Sequence, residues 1–110
     1  MVSNSRERDV LFEVQTPLGF RVNVTRSYWH LIVTVKHPAM AGRELEVGAA
    51  LANPDEVCQS RRDPSEYLFY KSEKVRRWVC AVAKQLNGDG FLITTYRTDG
   101  IKEGVQVWPR

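Results

Sequence analysis

Apolar and polar positions begin to alternate near residue 9. Residues 9–15 (DVLFEVQ) read as a short strand, and Phe20, Val22 and Val24 alternate with Arg21 and Asn23 as a second. Thr16-Pro17-Leu18-Gly19 between them carries turn chemistry, so the two segments predict a hairpin. The period then changes. Trp29, Ile32 and Val33 fall on one helical face, and Tyr28, Leu31 and Val35 widen the apolar surface. This predicts a largely buried helix over 26–36, capped by Thr25. Pro38 ends it, because the residue before a proline is pushed out of the α region. A second helix is predicted from Met40 or Gly42 to Leu51, with Leu45, Val47 and Leu51 apolar and Asn53-Pro54-Asp55 as its break.

The remainder reads as β. Strands are predicted over 56–61, 66–71, 77–84 and 91–97, with a short one at 105–108. Asn87-Gly88-Asp89-Gly90 is a hairpin turn signal. Period 2 assigns the faces. Trp78, Cys80, Val82 and Lys84 share one face, and Val79, Ala81 and Ala83 the other. Leu68 lies with Tyr70, and Leu92 with Thr94 and Tyr96. Segregated runs of this kind predict an α+β domain over 1–110, with residues 1–8 frayed. Its expected architecture is two N-terminal helices, preceded by a short hairpin, packed on one face of a curved antiparallel sheet of about four strands.

Composition narrows the class. With 110 residues and an apolar fraction of 43%, the chain can bury a core as one domain. No apolar run approaches the ~20 residues that span a bilayer, and MVSNSRERDV has no apolar stretch of a secretory signal. Cys58 and Cys80 form no CxxC pair, so neither a disulfide framework nor a zinc site is implied. The net charge of +3 is unevenly spread: six basic and six acidic residues in 1–55, ten and seven in 56–110. Between Ser60 and Lys84 lie seven basic residues against three acidic ones, a stripe that suits phosphate.

Three segments, YWHLIVTVKHPAMAGRE, NPDEVCQSRRDPSEYLFYK and GDGFLITTYRTDGIKEG, together resemble the phage-type branch of the barnase, EndoU, colicin E5/D and RelE-like (BECR-fold) nucleases, over about 25–104. The resemblance implies a RelE/barnase-like fold and a metal-independent endoribonuclease without cofactor. It also implies a cytoplasmic toxin of a toxin–antitoxin pair or a phage-associated effector. The implied partners are RNA, ribosome-bound mRNA and tRNA included, and a cognate antitoxin protein, with no membrane. His37 matches the family's HP element, and Ser60 and Arg61 its S-R strand. Tyr70 and Lys71 sit in its aromatic-rich strand. Thr94, Tyr96 and Thr98 match its T-x-Y-x-T element, while Thr95 departs from a small alanine.

RNA cleavage without metal must remove a proton from the 2′-OH, stabilise the phosphorane and protonate the 5′-oxygen. Histidine suits proton transfer, and arginine and lysine suit the phosphorane oxygens. Threonine and tyrosine can bond phosphate or stack a base. The expected catalytic set is therefore His37, Arg61, Lys84, Thr94 and Tyr96, with Ser60, Arg62, Tyr70, Lys71 and Thr98 contacting RNA. A cation at the C-terminal end of a helix meets the dipole favourably, so His37 is expected as proton donor or phosphate contact. Each has a plainer reading: His37 as a helix-ending surface residue, Arg61 and Arg62 as a solvated pair, Tyr70 as core. His30 is read as a wall residue of the first helix. The absence of a second strong acid–base candidate motivates an alternative, a non-catalytic RNA-binding or interaction module on the same fold. A structural or phage-packaging component is a third reading.

Overall fold

The computed structural model describes residues 9–101 and 103–110; the expectation of a frayed 1–8 lies outside them. Strands β1 (Val10–Gln15) and β2 (Arg21–Thr25) lead into helix α1 (Arg26–Leu31). A π-helical turn (Ile32–Lys36) and a 3₁₀ turn (Pro38–Met40) precede α2 (Glu44–Ala52). Strands β3 (Glu56–Gln59), β4 (Glu66–Lys74), β5 (Arg77–Leu86), β6 (Asp89–Thr98) and β7 (Val105–Trp108) complete the chain. All seven strands form one sheet in the order β1-β2-β6-β5-β4-β3-β7. Neighbours are antiparallel except β2 and β6, which run parallel through Arg21–Asp89, Val22–Gly90 and Asn23–Phe91.

This corrects the expected architecture of two N-terminal helices on a four-stranded antiparallel sheet of RelE/barnase type. The N-terminal hairpin does not stand apart. Val22 and Val24 are 0% and 1% exposed and belong to the same core as Ala81 and Ala83. Alternating apolar residues on β2 need a buried face, and the free edge of β6 provides backbone partners beside one. The hairpin therefore extends the sheet, making it mixed and seven-stranded.

The helical region also departs from its expected form. Thr25 does cap α1, its hydroxyl accepting from the Tyr28 N–H. The helix stays α only to Leu31, after which the chain widens to the π form, and His37 N–H donates to the Ile32 carbonyl at 2.7 Å. Instead of a largely buried helix, only Trp29 and Ile32 are buried, whereas Leu31 and Val35 face solvent. The inserted residue of a π turn rotates the residues after it away from the 3.6-residue stripe. Likewise α2 buries Val47, Ala50 and Leu51 but leaves Leu45 90% exposed.

The turns obey local chemistry. Asn87 and Gly88 both take positive φ, 55° and 89°, as a two-residue hairpin loop requires. The helices cover one face of the sheet, against Phe20, Val57, Phe69, Val79, Ala81, Ala83 and Leu92. Cys58, Leu68, Tyr70, Cys80 and Val82 form a second apolar cluster, joined by Trp78, Ile93, Tyr96 and Ile101. Among the described residues no helix is long and apolar enough to cross a membrane.

Gly90 shows how closely β2 and β6 meet the core. A Cβ there would lie 2.8 Å from the Phe20 ring and 3.0 Å from the Lys84 carbonyl. Phe20 cannot retreat, being 2% exposed and packed on Tyr67 and Phe69 with ring centroids 5.8 and 6.3 Å away. Gly90→Ala should therefore lower stability by about 1–3 kcal/mol, read as a fall in denaturant midpoint at unchanged slope.

Candidate functional site

On the sheet face opposite the helices lies a cleft of about 640 Å³. His37, Ser60, Arg62, Asp63, Glu66 and Glu103 supply its polar lining, with Thr94 and Tyr96 on β6 and Leu68, Val82 and Ile93 as its apolar floor. A smaller cleft of about 280 Å³ adjoins it, sharing Ser60, Arg62 and Glu103 and adding Arg61 and Gly104. The volume of the first lies within the range of pockets that hold small organic ligands.

A β-bulge shapes the floor. The β5–β6 register runs Val82–Thr94 and then Ala83–Leu92, so Ile93 is the extra residue on β6. The expected shared face of Leu92, Thr94 and Tyr96 is thereby broken. Leu92 packs under the helices, while Ile93 and Tyr96 join the opposite cluster. Bulges commonly re-aim side chains beside functional sites. The freed Ile93 carbonyl accepts the Tyr28 hydroxyl at 2.7 Å and the Lys36 ammonium at 3.2 Å.

His37 reaches the cleft from the end of the π turn. Its ring tilts at 43° over Tyr96, with centroids 5.6 Å apart. Pro38 comes next, and Met40, 0% exposed, anchors the chain beyond it. The loop between β3 and β4 makes the opposite wall. The Ser60 hydroxyl accepts the Arg62 and Asp63 N–H groups, and one Asp63 oxygen accepts both the N–H and hydroxyl of Ser65. Lys84 donates to the other Asp63 oxygen at 3.1 Å. The loop is thus tied down while its two guanidiniums, Arg61 and Arg62, have no partner among the described residues. Gly104 brings the chain after β6 against this wall, since a Cβ there would lie 2.5 Å from the Gln59 carbonyl oxygen.

The titrating groups divide by environment. Hydrogen bonds from the Ser65 hydroxyl and N–H, then the bond from Lys84, hold the Asp63 carboxyl down at about 2. Behind the cleft, burial pushes the Cys80 thiol up to about 12, and burial together with the Glu56 carboxylate raises Cys58 to about 11. Burial and the neighbouring Cys80 raise the phenols of Tyr96 and Tyr70 well above their ordinary value. Both residues belong to the apolar cluster that surrounds the buried Cys80. Tyr96 therefore keeps its proton, and its ring meets His37 in the cleft.

The cleft gathers His37, Ser60, Arg62, Thr94 and Tyr96 from the set named on sequence grounds. Arg61 lines the adjoining cleft. Lys84 is bound to Asp63 and acts on the wall rather than lining the cleft. Tyr70 is buried at 2% exposure. Lys71 donates to the Asn53 carbonyl, and Thr98 to the Gly100 carbonyl. His30, expected in the helix wall, is exposed and stands outside the cleft. Glu66 and Glu103 were missed. For Glu66 the signal was present, because period 2 places it with Leu68 and Tyr70 on this face. Glu103 arrives through a connection that no periodicity describes. Among the described residues no group of three or more His, Cys, Asp or Glu side chains could hold a metal ion. Comparison with protein-family models, curated proteins and solved structures finds no match to this chain.

Two measurements probe the site without a substrate. The Thr94 hydroxyl oxygen is buried and has no hydrogen-bond partner among the described residues. Thr94→Val removes that unsatisfied group at nearly constant shape, and should raise stability by about 1 kcal/mol, seen as a higher unfolding midpoint. Asp63, with its carboxyl held below the usual 3.8, contributes stability above that pH and loses it as pH falls toward about 2. Over that window wild type should lose more stability than Asp63→Asn in pH-dependent denaturation.

Proposed function

We propose that this chain is an endoribonuclease acting on single-stranded RNA, with the His37 cleft as its active site. The observation that carries the reading is the convergence on one cleft of an imidazole, a strand-borne carboxylate and a guanidinium unpaired among the described residues: His37, Glu66 and Arg62. These are the three chemical types that transfer of an RNA phosphodiester to its own 2′-oxygen requires.

Glu66 takes the 2′-OH proton, being fixed at the start of β4 by its N–H to the Asp63 carbonyl and by Ser60 N–H on its own carbonyl. The 2′-oxygen attacks phosphorus, and Arg62 donates to the non-bridging oxygens as their charge grows. His37 gives its proton to the departing 5′-oxygen. The products are a 2′,3′-cyclic phosphate and a 5′-hydroxyl, and every proton is accounted for between carboxylate and imidazole. The Tyr96 ring provides a face on which a base can stack, a mode suited to unpaired strands. The adjoining cleft continues the groove past Arg61, a length of surface that suits a strand extending beyond the scissile phosphate.

Purified protein incubated with unstructured RNA and EDTA should yield cyclic-phosphate ends, and its expression should arrest growth. His37→Gln should slow cleavage by about 10²–10⁴-fold. Intact RNA, both free and in a translation reaction, would argue against catalysis. If such a protein still binds RNA, the non-catalytic module becomes the better reading. Arg62→Gln should weaken binding to an uncleavable 2′-deoxy oligonucleotide and reduce the salt dependence of its affinity by about one counterion.

A further inference from the structure

Lys36 is a lysine one residue from the cleft histidine, and its obvious reading is a phosphate ligand. The hydrogen bonds argue otherwise. Its ammonium donates to the Tyr28 hydroxyl oxygen at 3.0 Å and to the Ile93 carbonyl at 3.2 Å, while the Tyr28 hydroxyl donates to that same carbonyl at 2.7 Å. The three groups form a closed triangle. It joins the first turn of α1, the last residue of the π turn and the extra residue of the β6 bulge.

We infer that this clasp is the positioning element of the site, and that Lys36 acts through His37 rather than on the substrate. This rests on the reading of the cleft as a ribonuclease site. The physical case starts from the π turn. It is a rare and poorly packed form that relaxes to α unless something holds the extra residue. Relaxation would shift the register at His37 by one residue, about 100° around the helix axis. That rotation would take the imidazole off Tyr96 and out of the cleft. Two features oppose it: the His37 N–H bond to the Ile32 carbonyl and the side-chain clasp. The first is the π bond itself, so among the described residues only the clasp ties the turn to the sheet by hydrogen bonds outside the helix backbone.

The carbonyl at the clasp is available because of the bulge. Both irregularities, one extra residue in the helix and one in the strand, therefore meet at a single acceptor. Thr94 comes directly after Ile93 and Lys36 directly before His37, so the clasp sets the separation of the two cleft walls that carry His37 and Thr94. Lys36 itself is largely exposed, and Tyr28 keeps its ring contacts when only its hydroxyl is removed.

The test uses Lys36→Met, Tyr28→Phe, the double variant and Lys36→Arg. With only two histidines in the chain, the His37 ring signals are separable from those of the exposed His30 by a His30→Gln reference. The expected result is a nuclear Overhauser contact between the His37 and Tyr96 rings in wild type, weakened in each single variant and lost in the double. On RNA the double variant should lose about 10²-fold in kcat with KM little changed, and Lys36→Arg should recover part of the loss. Persistence of the ring contact in the double variant overturns the proposal. A fall in kcat with that contact intact overturns it as well, and makes Lys36 a direct substrate ligand. The ring contact is measured without RNA, so a wild-type protein that cleaves nothing removes the ribonuclease reading and leaves the clasp still decided by the spectra.

Discussion

Between Val82 and Ala83 the β5–β6 ladder passes one residue of β6 without a partner, and the two sides of the sheet are arranged around that skip. Without it, strict alternation would carry Leu92 to the same face as Thr94 and Tyr96. With it, Leu92 fills the core beneath the helices at 1% exposure, and Thr94 and Tyr96 line the cleft. The skip also frees the Ile93 carbonyl from the ladder. That carbonyl is then satisfied from the helical layer by Tyr28 and Lys36, as a backbone acceptor near the interior must be. One irregular residue thus aims the cleft side chains and ties the helical segment to the strand opposite them.

The face carrying the cleft is built in two depths. Deepest are Cys58, Cys80 and Tyr70, with the half-buried Tyr96 beside them, a set that burial keeps protonated. Above them stand the polar groups of the cleft: Glu66 and Glu103, Arg62, and Asp63 with its Lys84 partner. The buried layer gives the polar layer a fixed base. Lys84 is a charge near the site rather than in it, whereas its partner Asp63 lines the cleft. Their pair braces the loop that presents Arg61 and Arg62, whose own guanidiniums stay unpaired among the described residues.

Much of this is legible in the residues. The EYLFYK and RWVCAVAK alternations assign Leu68, Tyr70, Cys80 and Val82 to one face and Phe69, Val79 and Ala81 to the other, as found. Pro38 marks where the helical segment stops, Asn87-Gly88 marks a turn, and His37, Thr94 and Tyr96 belong to one group on sequence grounds and to one cleft in the fold. Glu66 is overlooked in that reading although its parity places it on the same face. The errors fall where a local rule has a competing nonlocal solution. The hairpin of β1 and β2 satisfies its own turn chemistry, and nothing in those residues shows that β2 also pairs parallel with β6.

What the sequence determined by itself is whatever depends on neighbours along the chain: turn dihedrals, the parity of strand faces, the Thr25 cap and the break at Pro38. Those arise from sterics and hydrogen bonds that close within a few residues. The tertiary structure alone decided how the strands join into one sheet, where β6 bulges, that the chain after Leu31 widens into a π turn, and which charges pair across the loop. Each of those is settled by a partner distant in sequence. The half-buried Ile93 carbonyl is met by donors that the helical layer brings, and the alternating apolar face of β2 needs a core that the other strands complete.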